Sequence, residues 1–300
     1  MVDILAKTNT HRKAIAQAIV HVSSQETIDA ILNKKVPKGD VFEMSKTAGF
    51  FAVKKTSDVI PDCHPLPIEY TKITHTVKGL EITILVEVHT IYKTGVEVEA
   101  MYGASVTAMT MYDMLKPIDK GITINHIGLI EKSGGKSDFR KDSGEGKRSA
   151  VLVVSDAIAS GKKDDTGGQY ILSILNKNKL ENISYDLLPD KEDILIQKVK
   201  ELAGKTDLLI ISGGTGLTKT DKTPEILRNL IDTEIPGIME YARNYGQNRS
   251  PYSMFSRGFA GLIGSTLVLA IPGSSNGARE TMDALFPYVL HSFKMLQTKK

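Results

Sequence analysis

One charged segment constrains the fold of this chain more than any other stretch. Residues 139–148 read Phe-Arg-Lys-Asp-Ser-Gly-Glu-Gly-Lys-Arg, so that after the first position there is no apolar side chain to bury. The chain has 300 residues, which fits two domains of about 150 residues each. We therefore predict one domain over residues 1–139, a linker over 140–148 and a second domain over 149–300.

The composition excludes several classes of protein. Apolar residues make up 41% and charged residues 24% of the chain, with a formal net charge of +3, as in ordinary globular proteins. The chain has no dense basic stripe of the kind that indicates a nucleic-acid partner. No apolar run approaches the ~20 residues that span a bilayer, and the start does not resemble a secretory signal. The single cysteine, Cys63, suits a reducing compartment. From these features together we expect a cytoplasmic protein without a membrane or nucleic-acid partner.

The first half combines helical and alternating patterns. Helices are predicted up to about residue 34 and, with Asp40 as N-cap, from there toward residue 54. Strands are predicted over residues 68–77 and 80–92, where apolar side chains alternate as in an antiparallel hairpin. Residues 96–116 are apolar nearly all round, which indicates a buried helix, and 122–130 alternates like an edge strand. The predicted class is α+β with an antiparallel sheet.

Charged residues in this half sit at chain breaks or on the long helix. Asp113 and Lys116, three residues apart, share a helix face, whereas Glu97 and Glu99 point about 200° apart, so at most one of them can join that pair. Taken singly, these residues have ordinary explanations as turns, loop geometry or structural ion pairs. Together with Lys38 before the second helix and His64 in a loop with three prolines over residues 60–67, they fit general acid–base catalysis on a phosphorylated substrate.

Ordered motifs across residues 1–139 resemble those of cyclic pyranopterin monophosphate synthase. These motifs are Lys38-Gly-Asp-Val-Phe42, Lys54-Lys-Thr-Ser-Asp58, Cys63-His-Pro-Leu66, Thr94-Gly-Val-Glu-Val-Glu-Ala100, Tyr112-Asp-Met-Leu-Lys116 and Glu131-Lys-Ser-Gly-Gly-Lys-Ser137. The resemblance implies a ferredoxin-like fold, a hexamer of dimers and an active site across the dimer interface. It also implies conversion of a cyclised dihydro-GTP intermediate to cyclic pyranopterin monophosphate with loss of pyrophosphate, without a tightly bound cofactor.

The same resemblance implies residue roles. Lys38 and Lys116 would transfer protons, Lys54 would meet the triphosphate, and the substrate would be surrounded by His64, Glu97, Asp113 and Lys132. A lysine that is desolvated and lies beside other cations has a lowered pKa. We therefore expect a lowered pKa for the lysines that transfer protons. The chain departs from the family after Lys136-Ser137, where Asp138 stands in place of a common glycine.

The second half alternates apolar strands with helices. Strands are predicted over residues 150–155, 183–188 and 207–212, with helical patterns between them, and a further strand and glycine turn over 267–275. This order predicts a doubly wound α/β domain with a mostly parallel sheet. In such domains the ligand lies beyond the carboxyl ends of the strands.

The predicted strand ends carry the candidate site. The segment Gly213-Gly-Thr-Gly216 lets backbone N–H groups approach a phosphate, although a tight turn explains it equally well. Asp190 and Asp221 suit Mg²⁺-assisted attack on an α-phosphate, with ordinary capping as the alternative, and Asp221 is expected to be free to bind the cation. Ser274, at the start of the last predicted helix, is a candidate anion ligand.

Residues 149–296 resemble molybdopterin adenylyltransferases. The motifs are Val154-Ser-Asp156, Asp165-Thr-Gly167, Leu188-Pro-Asp190, Ser212-Gly-Gly-Thr-Gly216, Asp221-Lys-Thr-Pro-Glu225, Ile235-Pro-Gly237, Ser256-Arg-Gly258 and Ile271-Pro-Gly-Ser274. The resemblance implies a trimer that joins molybdopterin to AMP from Mg-ATP and releases pyrophosphate. It places Asp190 and Asp221 at catalytic positions, residues 213–216 at the phosphate loop and Ser274 on the pterin side. At positions 220, 275 and 276 this chain has Thr, Ser and Asn, whereas two of the three corresponding residues in the family are positively charged.

The sequence therefore predicts a bifunctional enzyme of molybdenum cofactor synthesis. Its expected ligands are the cyclised GTP intermediate, molybdopterin, ATP and Mg²⁺, and a homo-oligomer with three-fold symmetry would reconcile the two families. Because two positive charges are missing, a non-catalytic pterin-binding or assembly module is the alternative for the second half. A generic nucleotide-binding α/β domain is a further one.

Overall fold

The computed structural model describes residues 1–139 and 142–297, without the side chains of residues 136, 137 and 297. The chain divides into two units, residues 1–139 and 140–300. Residues 140 and 141 of the predicted linker lie outside the described part of the chain. Within that part, no helix has the length and apolar character needed to cross a membrane.

The first unit contains an antiparallel four-stranded sheet, as predicted. Its strands are β1 (Thr10–His21), β2 (Tyr70–Lys78), β3 (Glu81–Tyr92) and β4 (Thr123–Ser133), in the order β2-β3-β1-β4. The helices are α1 (Gln25–Leu32), α2 (Val41–Lys54), α3 (Thr56–Val59), α4 (Glu97–Leu115) and α5 (Lys136–Phe139). The predicted hairpin is β2 and β3, and β4 is an edge strand.

Side-chain alternation explains where the first core lies. Every second residue is fully buried from Ala14 to Val20 in β1 and from Ile82 to Val88 in β3. These side chains form one core with a stripe of α4 at positions 100, 104, 108 and 111. Three of those four positions are alanine, so the helix lies close to the sheet. The prediction that α4 is buried all round is wrong: Val98, Met109 and Tyr112 are 43%, 62% and 44% exposed.

The second unit is an α/β domain with a mostly parallel six-stranded sheet, as predicted. The strands β5 (Arg148–Val154), β6 (Glu181–Leu188), β7 (Leu208–Ser212), β8 (Thr233–Glu234), β9 (Phe259–Ile263) and β10 (Thr266–Ile271) lie in the order β6-β5-β7-β10-β9-β8. The first four in this order are parallel, β9 is antiparallel to β10, and β8 is antiparallel to β9. The carboxyl ends of β5, β7 and β10 therefore meet at one edge.

Helices cover both faces of this sheet. They are α6 (Asp156–Ala159), α7 (Thr166–Lys177), α8 (Glu192–Leu202), α9 (Thr223–Arg228), α10 (Pro236–Gln247), α11 (Ser275–Leu285) and α12 (His291–Gln297), with short 3₁₀ helices at Pro251–Phe255 and Tyr288–Leu290. Successive residues of the central strands belong to different cores, one on each side of the sheet. Burial on both sides explains why these strands are continuous apolar runs instead of alternating ones.

The described part of the predicted linker is held by polar contacts. The Asp142 carboxylate forms an ion pair with Lys294 Nζ at 2.5 Å and a hydrogen bond with His291 Nδ1 at 2.9 Å. The Gly144 N–H donates to the carbonyl oxygen of Asn178 at 2.9 Å, and Lys147 Nζ lies 2.8 Å from an Asp207 oxygen. All these partners belong to the second unit, so a segment without apolar side chains is anchored there through charge and backbone hydrogen bonds.

Candidate active sites

The first unit brings Lys38, Asp113 and Lys116 into direct contact. Lys38 Nζ donates to Asp113 Oδ2 at 2.6 Å and to the Asp113 carbonyl oxygen at 2.8 Å, while Lys116 Nζ lies 2.8 Å from Asp113 Oδ1. Lys38 belongs to the turn before α2, which begins after Asp40 with the Asp40 side chain accepting from the Glu43 N–H. That turn and the last turn of α4 therefore place two ammonium groups on one carboxylate.

The charges of this cluster favour its ionised form. Hydrogen bonds from Lys116 and then Lys38 lower the pKa of Asp113 to about 2. Asp113 in turn raises the pKa of Lys116 above its ordinary value through their hydrogen bond. The expected lowering of a lysine pKa is thus wrong for Lys116, because a carboxylate rather than another cation is its nearest charge and the side chain is exposed to solvent.

Among the described residues, the other predicted site residues of this unit make no hydrogen bond or ion pair with this cluster. Lys132 Nζ is 3.4 Å from Glu97 Oε1, which makes a second pair. His64 lies in the extended loop after α3, and Lys54 is the last residue of α2. Among the described residues, neither of them makes a side-chain hydrogen bond or ion pair with the other predicted site residues.

Glu99 is a candidate that the sequence prediction left out. It is only 2% exposed, and its Oε1 accepts a hydrogen bond from Cys63 Sγ at 3.1 Å, whereas Oε2 has no partner. Burial raises the pKa of Glu99, and burial together with the bond to Glu99 raises the pKa of Cys63 to about 12. A buried, unsatisfied carboxyl next to the His64 loop is typical of a functional position. The sequence signal was the two-residue spacing from Glu97, which leaves only one glutamate facing outward.

In the second unit, one cavity contains every predicted site residue. It has a volume of about 450 Å³ and lies where β5, β7 and β10 end. Asp190, Asp221, Ser274 and the loop 213–216 all line it. Strand topology therefore gathers residues that are up to 84 positions apart, as 274 minus 190 gives.

Glycine is required where the loop begins. Gly213 has φ of +116° and Gly214 has φ of +63°, a region that L side chains rarely adopt. A Cβ atom on Gly213 would also overlap the carbonyl oxygen of Val154. The loop therefore runs close to the end of β5 and leaves its backbone as part of the cavity wall.

The two carboxyl side chains of the cavity are already positioned by hydrogen bonds. Asp190 and Asp156 bond each other's backbone N–H groups, at 3.1 and 3.0 Å. Asp221 Oδ2 accepts from the N–H of Thr218 at 2.8 Å and from its hydroxyl, so this oxygen is not free as expected. Burial acts to raise the pKa of Asp221. The hydrogen bonds from Thr218 and Gly216 and the charge of Arg257 outweigh burial, so the pKa of Asp221 lies below its ordinary value.

Arg257 is a second residue that the predicted site lacked, although it lies in the Ser-Arg-Gly motif. Its Nε donates to the Gly216 carbonyl oxygen at 2.7 Å, and its other guanidinium nitrogens contact the Asp221 carbonyl oxygen and the Glu225 carboxylate. Its backbone N–H donates to Thr215 O at 3.0 Å. Arg257 thus fixes both ends of the loop that connects the glycines to Asp221.

Ser274 has a structural role as well as a place in the cavity. Its side chain is the N-cap of α11 and accepts from the Gly277 N–H at 3.2 Å. The neighbouring Ser275 hydroxyl lies 2.5 Å from that of Thr166. No group of three or more His, Cys, Asp or Glu side chains that could hold a metal ion occurs within residues 1–139 and 142–297, so the magnesium site at Asp221 stays a prediction.

Comparisons with known proteins divide the chain in the same way. Residues 1–135 match the MoaC family, and residues 150–291 match the family described as a probable molybdopterin binding domain. The chain is 36% identical over 298 residues to a molybdenum cofactor biosynthesis bifunctional protein of Chlorobaculum tepidum, covering 99% of this chain and 94% of the relative.

Two further relatives each match one half. A cyclic pyranopterin monophosphate synthase of Listeria monocytogenes serotype 4a is 46% identical over 138 residues, which cover 46% of this chain and 86% of that protein. The crystal structure of the molybdopterin biosynthesis enzyme MoaB from Thermus thermophilus is 38% identical, covers 51% of this chain and 98% of its own, and has a TM-score of 0.47.

Proposed function

The chain belongs to the family of molybdenum cofactor biosynthesis bifunctional proteins, and on this premise we propose that each half catalyses one reaction. The first half converts cyclised dihydro-GTP to cyclic pyranopterin monophosphate and pyrophosphate. The second half transfers AMP from Mg-ATP to molybdopterin and releases pyrophosphate. The βαββαβ order and strand order of the first unit support a ferredoxin-like class for it.

The contact of Lys38 and Lys116 with one carboxylate carries the proposal for the first half. Lys38 and Lys116, both within hydrogen-bond distance of the same carboxylate, would be the groups that transfer protons with the substrate. The two ammonium groups also supply positive charge for a departing pyrophosphate. Lys132 with Glu97, His64, and Lys54 at the end of α2 complete the set proposed to bind and position the substrate.

A synthase assay tests this half. Full-length protein mixed with the cyclised GTP intermediate should form pyranopterin monophosphate and pyrophosphate in equal amounts. Lys38→Ala and Lys116→Ala should each reduce the turnover rate by at least about a hundredfold, the range for a lost proton-transfer group. Circular dichroism should show that both variants fold. An assembled wild-type protein that forms neither product would refute the assignment.

The cavity at the carboxyl ends of β5, β7 and β10 carries the proposal for the second half. A pterin phosphate oxygen would bond to the α-phosphorus of ATP while the bond from that phosphorus to pyrophosphate breaks. Backbone N–H groups of the loop 213–216 would bind phosphate oxygens, apart from those of Gly213 and Gly216, which already donate to Ile271 O and to Asp221. Asp190 and Asp221 would hold Mg²⁺. Magnesium sites commonly take one or two carboxylates plus substrate phosphates, which fits this lining. Mg²⁺, when bound, would neutralise developing phosphate charge.

A non-catalytic pterin-binding module is the second candidate for this half. It is favoured by the uncharged residues at positions 220, 275 and 276, where the related enzymes carry two cations. Thr220 bonds the Thr218 hydroxyl at 2.9 Å, and Ser275 bonds Thr166, so these side chains take part in local hydrogen bonds.

Pyrophosphate release separates the two candidates. Wild-type protein with Mg-ATP should release pyrophosphate only when molybdopterin is present, and Asp221→Asn should abolish this release while molybdopterin binding persists. Binding of molybdopterin without any pyrophosphate release by the wild type would favour the module.

We also infer a homo-oligomer. The exposed apolar side chains of α4, including Met109 and Tyr112, and exposed Ile127, Leu129 and Ile130 on β4 support association of the first unit. Three-fold symmetry shared by both halves would allow one closed assembly.

A further inference from the structure

The carboxyl groups that line the 450 Å³ cavity would repel a phosphate ligand. Asp190 and Asp221 contribute carboxyl groups at its wall, while the loop 213–216 contributes only backbone dipoles. An anionic ligand beside two carboxyl groups needs a cation, and Mg²⁺ binding to those carboxylates compensates them rather than the whole polyphosphate. The protein should therefore present a positive side chain to the same space.

Two cations adjacent in sequence to residues of this cavity, Arg257 and Lys222, are already engaged with other groups. Arg257 is bound to the Gly216 and Asp221 carbonyl oxygens and to Glu225, and it does not line the cavity. Lys222 lies 3.7 Å from Glu192. Thr220, Ser275 and Asn276, which lie close in sequence to cavity residues, are neutral.

Lys163 is the one cationic side chain among the described residues that line this cavity. It lies in the loop between α6 and α7. Its N–H and that of Lys162 both donate to the Ala157 carbonyl oxygen, at 3.1 and 2.9 Å, so a hydrogen-bonded turn after α6 fixes its backbone. Within the described part of the chain, its ammonium group makes no ion pair or side-chain hydrogen bond.

The backbone beyond Lys163 is also fixed. The next turn ends at Asp165, whose side chain caps α7 by accepting from the Gly168 N–H at 2.8 Å and also contacts Tyr185. The backbone of Lys163 is thus fixed on both sides, and its side chain lines the cavity without an ion pair to another described residue. Holding the backbone in place lowers the entropic cost of using a long, flexible side chain for binding.

We infer that Lys163 is a phosphate-binding residue of this cavity and supplies a positive charge that no other described residue of the lining carries. The inference deepens the proposed function of the second half and rests on it for the identity of the ligand. The recognised chemistry is a phosphate group, which either ATP or the pterin can present. Lys163 would act as a point charge, as lysine does in phosphate sites.

Binding measurements on full-length protein test this inference with a matched control. Lys163→Ala should weaken the binding of Mg-ATP or of molybdopterin about fivefold to tenfold in isothermal titration or fluorescence titration, the effect of one charge-assisted contact near solvent. Lys162→Ala removes the same charge from the adjacent position, which does not line the cavity, and should change affinity less than about twofold. Lys163→Arg should retain most of the affinity.

The two ligands distinguish which phosphate is bound. A loss confined to Mg-ATP assigns Lys163 to the nucleotide, and a loss confined to molybdopterin assigns it to the pterin phosphate; either supports the inference. Equal losses in Lys162→Ala and Lys163→Ala, or no loss in Lys163→Ala, would overturn it. A wild type that binds neither ligand would overturn it together with the proposed function.

Measuring pyrophosphate release together with ligand binding distinguishes failure of the proposed function from failure of this inference. If the wild type binds Mg-ATP or molybdopterin but releases no pyrophosphate, adenylation is refuted, while a selective effect of Lys163→Ala still supports the phosphate-binding role. Thermal unfolding of each variant should match the wild type, since the Lys163 side chain makes no hydrogen bond or ion pair within the described residues.

Discussion

At the scale of single residues, Asp113 should make stability depend on acid. Its pKa is held near 2 by the lysine hydrogen bonds, below the ordinary value of about 3.9. A group with a lowered folded-state pKa stabilises the fold above the unfolded pKa and loses that contribution as pH falls through the folded pKa. We expect the difference in melting temperature between wild type and Asp113→Asn to be constant from pH 5 to 8 and to vanish between about pH 4 and 2. A difference that persists at pH 2 would contradict this.

A second prediction for a single residue concerns Arg257, whose hydrogen bonds hold the backbone of the cavity loop in place. Arg257→Lys keeps the charge but loses the planar fork that reaches two carbonyl oxygens and a carboxylate. We expect it to weaken Mg-ATP binding by about tenfold, because the backbone of residues 213–221 is no longer fixed. Glu225→Gln removes the ion pair and leaves both carbonyl contacts, so its affinity should stay within about threefold of wild type. Similar losses in both variants would assign the effect to the ion pair instead.

At the scale of elements, the turn after β7 depends on a glycine that no other residue can replace. Gly213→Ala combines a positive φ with overlap between the new Cβ atom and the Val154 carbonyl oxygen. Gly264 in the β9–β10 turn has φ of +56° but open space around its Cβ position, which makes Gly264→Ala a matched control. We expect the control to lose about 1 kcal/mol of unfolding free energy and Gly213→Ala at least about 2 kcal/mol more. Equal losses in denaturant titrations would show that the loop relaxes.

At the scale of the whole molecule, the exposed side of α4 predicts association. Met109 is 62% exposed, so Met109→Asp should leave the fold of one chain intact, whereas a charge buried in an interface without a partner is costly. Light scattering should show a lower molar mass for Met109→Asp than for the wild type, with an unchanged circular dichroism spectrum. The same mass for both proteins would exclude this face from the assembly.

Local patterns in the sequence determined much of the architecture. Continuous apolar runs at β5, β7 and β10 fixed a sheet that is buried on both sides, and alternation in β3 fixed which residues of the hairpin face the core, because side-chain period follows directly from backbone geometry. The capping residue Asp40 placed the start of α2, and the charged segment at 139–148 divided the chain near the boundary of the two units. The candidate residues for both sites were identified by motif.

Tertiary structure alone decided how those residues interact. Periodicity assigned α4 to the interior, but a helix that packs on one sheet face leaves Met109 and Tyr112 exposed. The expected pKa of the lysines failed at Lys116 because its nearest partner, Asp113, is set by packing rather than by composition. Arg257, Glu99 and Lys163 were missed for one physical reason: contact and burial depend on distances across the fold, and a sequence of residue types does not contain those distances.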